Sequence, residues 1–413
     1  MKSLTFIPNR VFIIALAAGL AAGLLSACQT NPDTATTAAA TTTTAPNASP
    51  GARSDSRASG PTAPERIAEN VEQLYVVGPD AARRMGFQID WQNPAAGRNV
   101  RQVVVADDSV FTLDERNLLS RFKRETGDRL WTTPASDPVD NIIGITYRSE
   151  LERIYLTSGG AIYVLDSQNG SLVDKQNLAK IANTPPVAHG NFFIYGSRGG
   201  QLIWHGYRVG AEWRGYQVAP SIDIKPVLND SVIVAAGNNG TLIALDANQA
   251  RSFWQRSLLD KIVAQPAVAH GAVFVTSLDQ HVRAYDLGNG RNLWRYLTES
   301  PLTESPTVID QSVYVQIPTE GLVCFDALPP DSPGGVVRWS SQDVQGNIIA
   351  GRNDRLLAWH SASKTMKVVG KRRGYVIDTL KLDKVHQLNC IDTAANELYL
   401  VSRDGRLLRL VRR

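Results

Sequence analysis

Apolar residues fall along this 413-residue chain in three regimes. Val11 to Leu25 is a nearly unbroken run of Val, Phe, Ile, Leu, Ala and Gly, preceded by Lys2 and Arg10. Thr30 to Pro64 shows no hydrophobic period and is almost all Thr, Ala, Ser, Pro, Asn, Gly and Asp. From Phe87 onward, short β-branched and aromatic runs alternate with breaks built on Gly, Asn and Asp. Runs of that kind bounded by turn residues predict strands. Between the second and third regimes, Ile67, Val71 and Leu74 give a mild helical pattern.

The strand-like region repeats. Val232-Ile233-Val234-Ala235, the turn Asn239-Gly240, Leu242-Ile243-Ala244-Leu245-Asp246 and Phe253-Trp254 set the frame. The same frame fits Val273-Phe274-Val275, Ala284-Tyr285-Asp286, Gly290 and Trp294, then Val313-Tyr314-Val315, Cys324-Phe325-Asp326 and Trp339. An earlier copy holds Ile154-Tyr155-Leu156, Val164-Leu165-Asp166 and Gly170. Weaker copies start at Val110, Phe192, Ile348 and Leu398. Eight copies at a spacing of about 40 residues match the length of a four-stranded propeller blade. Gly and Asn at the turns supply the positive φ that tight hairpins need. The chain is therefore expected to be all-β, an eight-bladed β-propeller over 86–413 with antiparallel blades.

The two ends of the repeat region complement each other. The last copy stops at Arg413 without a fourth strand, whereas Phe87-Gln88-Ile89-Asp90-Trp91 reads as a fourth strand with nothing before it. The expectation is that Phe87 to Trp91 completes the last blade and closes the ring, and that Pro64 to Leu74 packs on its outside, 65–85 being a lead-in to the propeller.

The repeated residues read first as structure. Trp91, Trp131, Trp213, Trp254, Trp294 and Trp339 align at one repeat position, so they are expected to pack blade against blade. Asp166, Asp246, Asp286 and Asp326 recur beside a turn and are expected to accept turn hydrogen bonds. His205 and His360 align with these aspartates as degenerate copies. No His pair has metal-ligand spacing on a helix, no Gly-x-Ser-x-Gly elbow occurs, and Cys-x-x-Cys is absent. Cys324 and Cys390 fall in different copies and are expected to be free thiols. No catalytic residue, metal site or cofactor site is assigned.

Leu25-Ser26-Ala27-Cys28 resembles the lipobox of bacterial lipoproteins. About 15 apolar residues is short of the roughly 20 that span a bilayer, and the layout is that of a signal peptide. The resemblance implies cleavage after residue 27, a diacylglyceryl thioether on Cys28 and acylation of the new amine. Gln29, where an Asp would imply inner-membrane retention, implies the outer membrane of a two-membrane cell. Residues 28–64 then form a disordered tether, because their composition cannot bury enough apolar surface to offset ordering entropy.

The Ala-Leu-Asp strand, Gly turn and Trp also resemble the PQQ-like propellers from about Phe87 to Arg413. Two groups share that repeat: quinone-dependent alcohol and sugar dehydrogenases, and BamB-type lipoproteins that assist outer-membrane β-barrel assembly. The dehydrogenases are generally longer, and many carry adjacent cysteines that are missing here. The resemblance thus implies a non-catalytic protein-interaction scaffold on the periplasmic face of the outer membrane, with an envelope protein as partner. The alternative it leaves is a periplasmic PQQ-dependent enzyme or a carbohydrate-binding or carbohydrate-active protein.

Charge changes one part of this picture. Lys and Arg exceed Asp and Glu only by 43 to 39, which gives no nucleic-acid signal over the whole chain. The last two copies, however, are basic, with Arg352, Arg355, Lys364, Lys367, Lys371-Arg372-Arg373, Lys381, Lys384, Arg403, Arg406, Arg409, Arg412 and Arg413. Lys371, Arg372 and Arg373 mark either an electrostatic surface for anionic headgroups, a cell-wall polymer or an acidic protein, or a solvated rim.

Overall fold

The computed structural model describes residues 70–413 apart from 95, 392 and 395. The apolar run, Cys28 and the 28–64 segment lie outside the described residues, as do positions 65–69 of the lead-in.

Eight four-stranded antiparallel sheets account for nearly all the described chain. Seven are built from consecutive strands, here a to d within each blade. Blades 1 to 7 occupy residues 102–134, 142–177, 187–217, 227–257, 267–297, 307–341 and 347–381. The eighth takes strands a to c from Val385–Cys390, Glu397–Ser402 and Leu407–Arg412, and its fourth strand from Phe87–Asn93. Pairing there runs from Phe87 opposite Arg412 to Asn93 opposite Leu407. The fold is the eight-bladed propeller, closed by Phe87–Asn93, the first described strand.

Burial explains why strands b and c carried the repeat signal. First strands of adjacent blades touch one another, which makes strand a the inner wall and strand d the outer edge. Strands b and c are covered on both faces by neighbouring blades; Ser109–Leu113 and most of Thr241–Asp246 are buried outright. They therefore read as continuous apolar runs rather than as alternation. Outer strands such as Arg251–Ser257 are mostly exposed and bury chiefly one residue, here Trp254. The core is a set of wedges, one at each blade boundary, such as that shared by blades 3 and 4 around Ile194, Leu202, Ile233 and Leu245.

Antiparallel order places the a–b and c–d turns on one rim of the ring, the upper rim here, and the b–c and d–a loops on the other, the lower rim. Blade 7 departs from the repeat reading in register. The copy beginning at Ile348 is strand a, Asn347–Arg352, and the run ending at His360 is strand b, Arg355–His360. Strand a has six residues here against three in blades 3 to 6, so it looks like a strand b.

The seam between blades 8 and 1 carries a charged lock. Glu397 accepts from Arg409 of its own blade at 2.8 Å and from Arg124 of blade 1 at 3.0 Å. The Tyr399 hydroxyl donates to it at 2.7 Å. Burial alone would push this carboxyl up, but the bonds from Arg409, Arg124 and Tyr399 outweigh it and hold the group at about 2. Arg409 also reaches Asp90 on the closing strand at 2.8 Å.

The lead-in meets the ring at the junction of blades 7 and 8. Residues 70–74 are helical, and helix α1, Pro79–Met85, ends on Gly86 in the left-handed region. Val76, Val77, Ala82 and Met85 are buried with Leu380, Leu382, Leu398 and Leu408. Arg84 pairs with Asp378 on strand d of blade 7 at 2.8 Å.

Candidate interaction surface

The tryptophans decide which repeat residues are free to function. Each c–d pair carries a one-residue register shift, as between Ala244 and Leu245. A bulge re-aims the strand that follows it, and here it turns Trp254 toward the next blade. Trp91, Trp131, Trp254, Trp294 and Trp339 each donate an indole N–H to a main-chain carbonyl of the following blade at 2.7–3.0 Å. The ring lies flat over that blade's c–d turn. A Cβ on Gly290 would stand 2.5 Å from the Trp254 ring, and its φ is +68°; only Gly meets both conditions.

Trp213 does not belong to this set. It falls in the bulge between the pairs Trp204–Arg214 and His205–Glu212, so Arg214 holds the docking register and Trp213 points the other way. It is 49% exposed and stacks on Phe192 of its own blade. A one-residue slip flips a strand residue to the opposite face, and spacing alone does not reveal the bulge. The interblade bond comes instead from Trp204 on strand c, fully buried, at 2.7 Å from the Ala247 carbonyl.

The aspartates are turn residues. Asp246 and Asp286 each accept two main-chain N–H bonds, and Asp166 and Asp326 one each. The two histidines aligned with them stand elsewhere. His205 lies one residue before the aspartate position, where Gly206 stands. It is buried against Gln176 at 3.0 Å, and burial lowers its pKa. His360 ends strand b of blade 7 and bonds Ser363 at 2.6 Å. Cys324 and Cys390, in blades 6 and 8, are not disulfide-bonded. No group of three or more His, Cys, Asp or Glu among the described residues is arranged to hold a metal.

The basic residues that cluster in sequence separate in space, because successive turns alternate between rims. Lys364, Lys384, Arg403 and Arg406 line a lower-rim hollow with His386. Arg409 is consumed at the seam. Arg352, Arg355, Arg412 and Arg413 line an upper-rim cleft of about 400 Å³ between blades 7 and 8. Lys371, Arg372 and Arg373 form the adjoining c–d turn of blade 7. The Lys371 ammonium pairs with Asp310 of blade 6 and its side chain is only 17% exposed. Arg372, 84% exposed, faces Asp354 at 3.2 Å, and Arg373 is exposed. The triplet thus divides into one anchored lysine and two guanidiniums open to solvent.

A second cleft, of about 590 Å³, opens on the lower rim between blades 6 and 7, lined by Gln316, Gln342, Gln345, Asn347, Glu304 and His360. The d–a loop there, 342–346, is shorter than its counterparts 258–266 and 298–306. All three loops bury an apolar side chain, Val344, Ile262 and Leu302 respectively.

Comparison with known proteins bears on the whole ring. A family model described as outer membrane protein assembly factor BamB matches residues 88–203 and 189–413. The BamB of Yersinia pestis is 21% identical over 341 residues, 74% of this chain and 82% of that protein. The Escherichia coli BamB is 22% identical over 291 residues, 62% of this chain and 72% of its own length. Among solved structures, the crystal structure of BamB from Moraxella catarrhalis superimposes with a TM-score of 0.62 at 18% identity, covering 79% of this chain and 97% of that one.

Proposed function

Since the chain belongs to the family of the outer membrane protein assembly factor BamB, we propose that it is a non-catalytic scaffold of outer-membrane protein assembly. In this reading a lipid on Cys28 holds it at the periplasmic face of the outer membrane, where it engages a component of the β-barrel assembly apparatus. The observation that carries this is the family match, which spans the whole propeller from its closing strand to its end.

The architecture suits the role. Five of the eight strands d are fixed to the next blade by an indole bond, and Phe87–Asn93 closes the ring between blade 8 and blade 1. Such a wheel presents its turns as a rigid platform, and binding residues are commonly carried on loops of that kind. A specific protein interface needs about 1,200–2,000 Å² in total, which one rim supplies across a few blades. Arg372 and Arg373, exposed on the upper rim, are the proposed electrostatic contacts. Residues 28–64, as a flexible coil, would let the ring stand roughly 30–35 Å from the anchor.

The test is photocrosslinking in intact cells from Arg372 and Arg373, with membrane fractionation of Cys28→Ser alongside. The reading expects adducts with an assembly component, and release of Cys28→Ser from the outer-membrane fraction. Adducts only with unrelated proteins, or unchanged fractionation of Cys28→Ser, would overturn the scaffold and the anchor respectively.

A further inference from the structure

We propose that the upper-rim cleft between blades 7 and 8 is a carboxylate-recognition site that receives an acidic, partly apolar segment of a protein partner. The proposal rests on the scaffold reading above and names the chemistry of the contact.

Blades 2 and 7 carry an aspartate, Asp174 and Asp378, at the docking register of strand d; between blades 2 and 3 the buried Tyr207 fills the space, whereas between blades 7 and 8 the cleft is open. In blade 7, Asp378 stands opposite Val368 at the register that Trp254 holds opposite Ala244. Asp378 turns instead to Arg84 of α1. Among the described residues no strand-d indole covers the end of strand c in blade 8, and a cleft lies between the sheets there, with Met85 and Phe87 among its lining residues.

Strand alternation then sets two guanidiniums face to face. On blade 8, Leu408 and Leu410 point into the wedge shared with blade 7, so Arg412 points the same way. On blade 7, Leu357 points into that wedge from the other side, so Arg355 does too. The apolar stripe of the wedge thus ends, at the upper rim, on two opposed cations. Arg352 and Arg413 flank them, and Asp354 is the one carboxylate side chain among the lining residues, already facing Arg372.

One nitrogen is left wanting. Arg412 Nη1 is buried and has no hydrogen-bond partner among the described residues. Arginine stays charged in proteins, and a buried charged donor without an acceptor carries the full cost of its desolvation. An arriving carboxylate would bond it in the bidentate geometry that guanidinium favours, while Met85, Phe87 and Leu357 offer an apolar floor to a neighbouring side chain. A flat membrane surface fits less well. The wanting nitrogen is buried, and Asp354 stands exposed among the lining residues.

The probe is a fluorescein-labelled peptide of alternating leucine and glutamate, with its glutamine counterpart and anionic phospholipid vesicles as comparisons. Binding to the full chain is followed by anisotropy at low and high salt. The proposal expects the acidic peptide to bind and salt to weaken it. Arg355→Gln with Arg412→Gln should cost about tenfold in affinity, while Arg251→Gln, exposed on blade 4, should change nothing. Arg352→Gln, exposed at the mouth of the cleft, serves if the double variant fails to fold, and should cost a smaller factor. Equal binding of the glutamine peptide, affinity unchanged in the cleft variants, or binding of vesicles but not peptide would overturn it. If cellular adducts from Arg372 persist when the cleft variants bind no peptide worse than the native chain, the cleft fails and the scaffold stands; loss of those adducts in the native chain removes the scaffold itself.

Discussion

The indole N–H of Trp204 donates to the carbonyl of Ala247 at 2.7 Å, crossing from the third blade into the fourth. Five other boundaries make the same bond from strand d, whereas this one makes it from strand c. The reason lies in the receiving turn. Ala250 stands where the other turns have Gly, at a φ of +51°, and its methyl occupies space that a docked ring would need. Arg214 takes the docking register and bonds the Gln249 carbonyl at 2.9 Å, while Trp204, opposite it, supplies the ring.

Trp204→Ala should therefore destabilise the protein by about 3–5 kcal/mol, as loss of a buried aromatic does. Trp213→Ala, which removes a half-exposed ring stacked on Phe192, should cost less than about 1 kcal/mol. Urea unfolding of both variants checks the ranking, and a larger cost at Trp213 would contradict this packing.

The turns make a paired prediction. Gly290→Ala places a methyl against the Trp254 ring in a left-handed turn, and should cost more than about 2 kcal/mol. Ala250→Gly relieves strain in the folded turn but loosens the unfolded chain, so its net effect should stay within about 1 kcal/mol. Thermal unfolding of the two variants gives the comparison.

The Glu397 lock predicts an acid dependence. Its folded carboxyl titrates at about 2, below the ordinary 4.5. A depressed carboxylate contributes stability that is fully present above the ordinary value and is lost as pH falls from there toward 2. Solvent screening at the seam leaves that contribution at about 1–2 kcal/mol. Glu397→Gln should remove it at pH 7 and narrow the gap from the parent at pH 3, as read by denaturant midpoints.

The two thiols should differ in reactivity. Cys324 is 1% exposed and burial pushes its pKa up, so little thiolate is available. Cys390 is partly exposed on the inner strand of blade 8. In a Cys28→Ser background, a thiol reagent at pH 8 should label Cys390 in the native state and Cys324 only on unfolding. Mass spectrometry of the labelled peptides distinguishes them.

Much of the ring was legible in the sequence because strands b and c are covered on both faces, and the same apolar runs recur wherever a blade does. The missing fourth strand after Arg412 and the spare one at Phe87 made closure legible as well. What failed did so at single-residue resolution. Trp213 lies in a bulge, and His205 one residue off the turn position; neither offset leaves a mark in spacing. In blade 7 a lengthened strand a imitated strand b. The basic residues near the end of the chain looked like one cluster, but turns alternate between rims, so Arg403 and Arg372 lie on opposite faces. The cleft at Arg412 was invisible for a further reason: it depends on Asp378 failing to be a tryptophan and on α1 arriving from three hundred positions earlier.

Closure by the first strand also imposes an order of events during synthesis. Phe87–Asn93 emerges early, but its partner Leu407–Arg412 appears about 325 residues later. At about 5–20 residues per second that is a wait of roughly 15–65 s. Throughout it, the strand has unpaired main-chain groups and Phe87 and Trp91 lack their native cover, which is the condition under which sheet edges aggregate. The growing chain thus needs its first strand shielded until its last one arrives. The final blade is consequently a checkpoint on completeness: a chain cut short anywhere before Leu407 leaves both ends of the ring open at once.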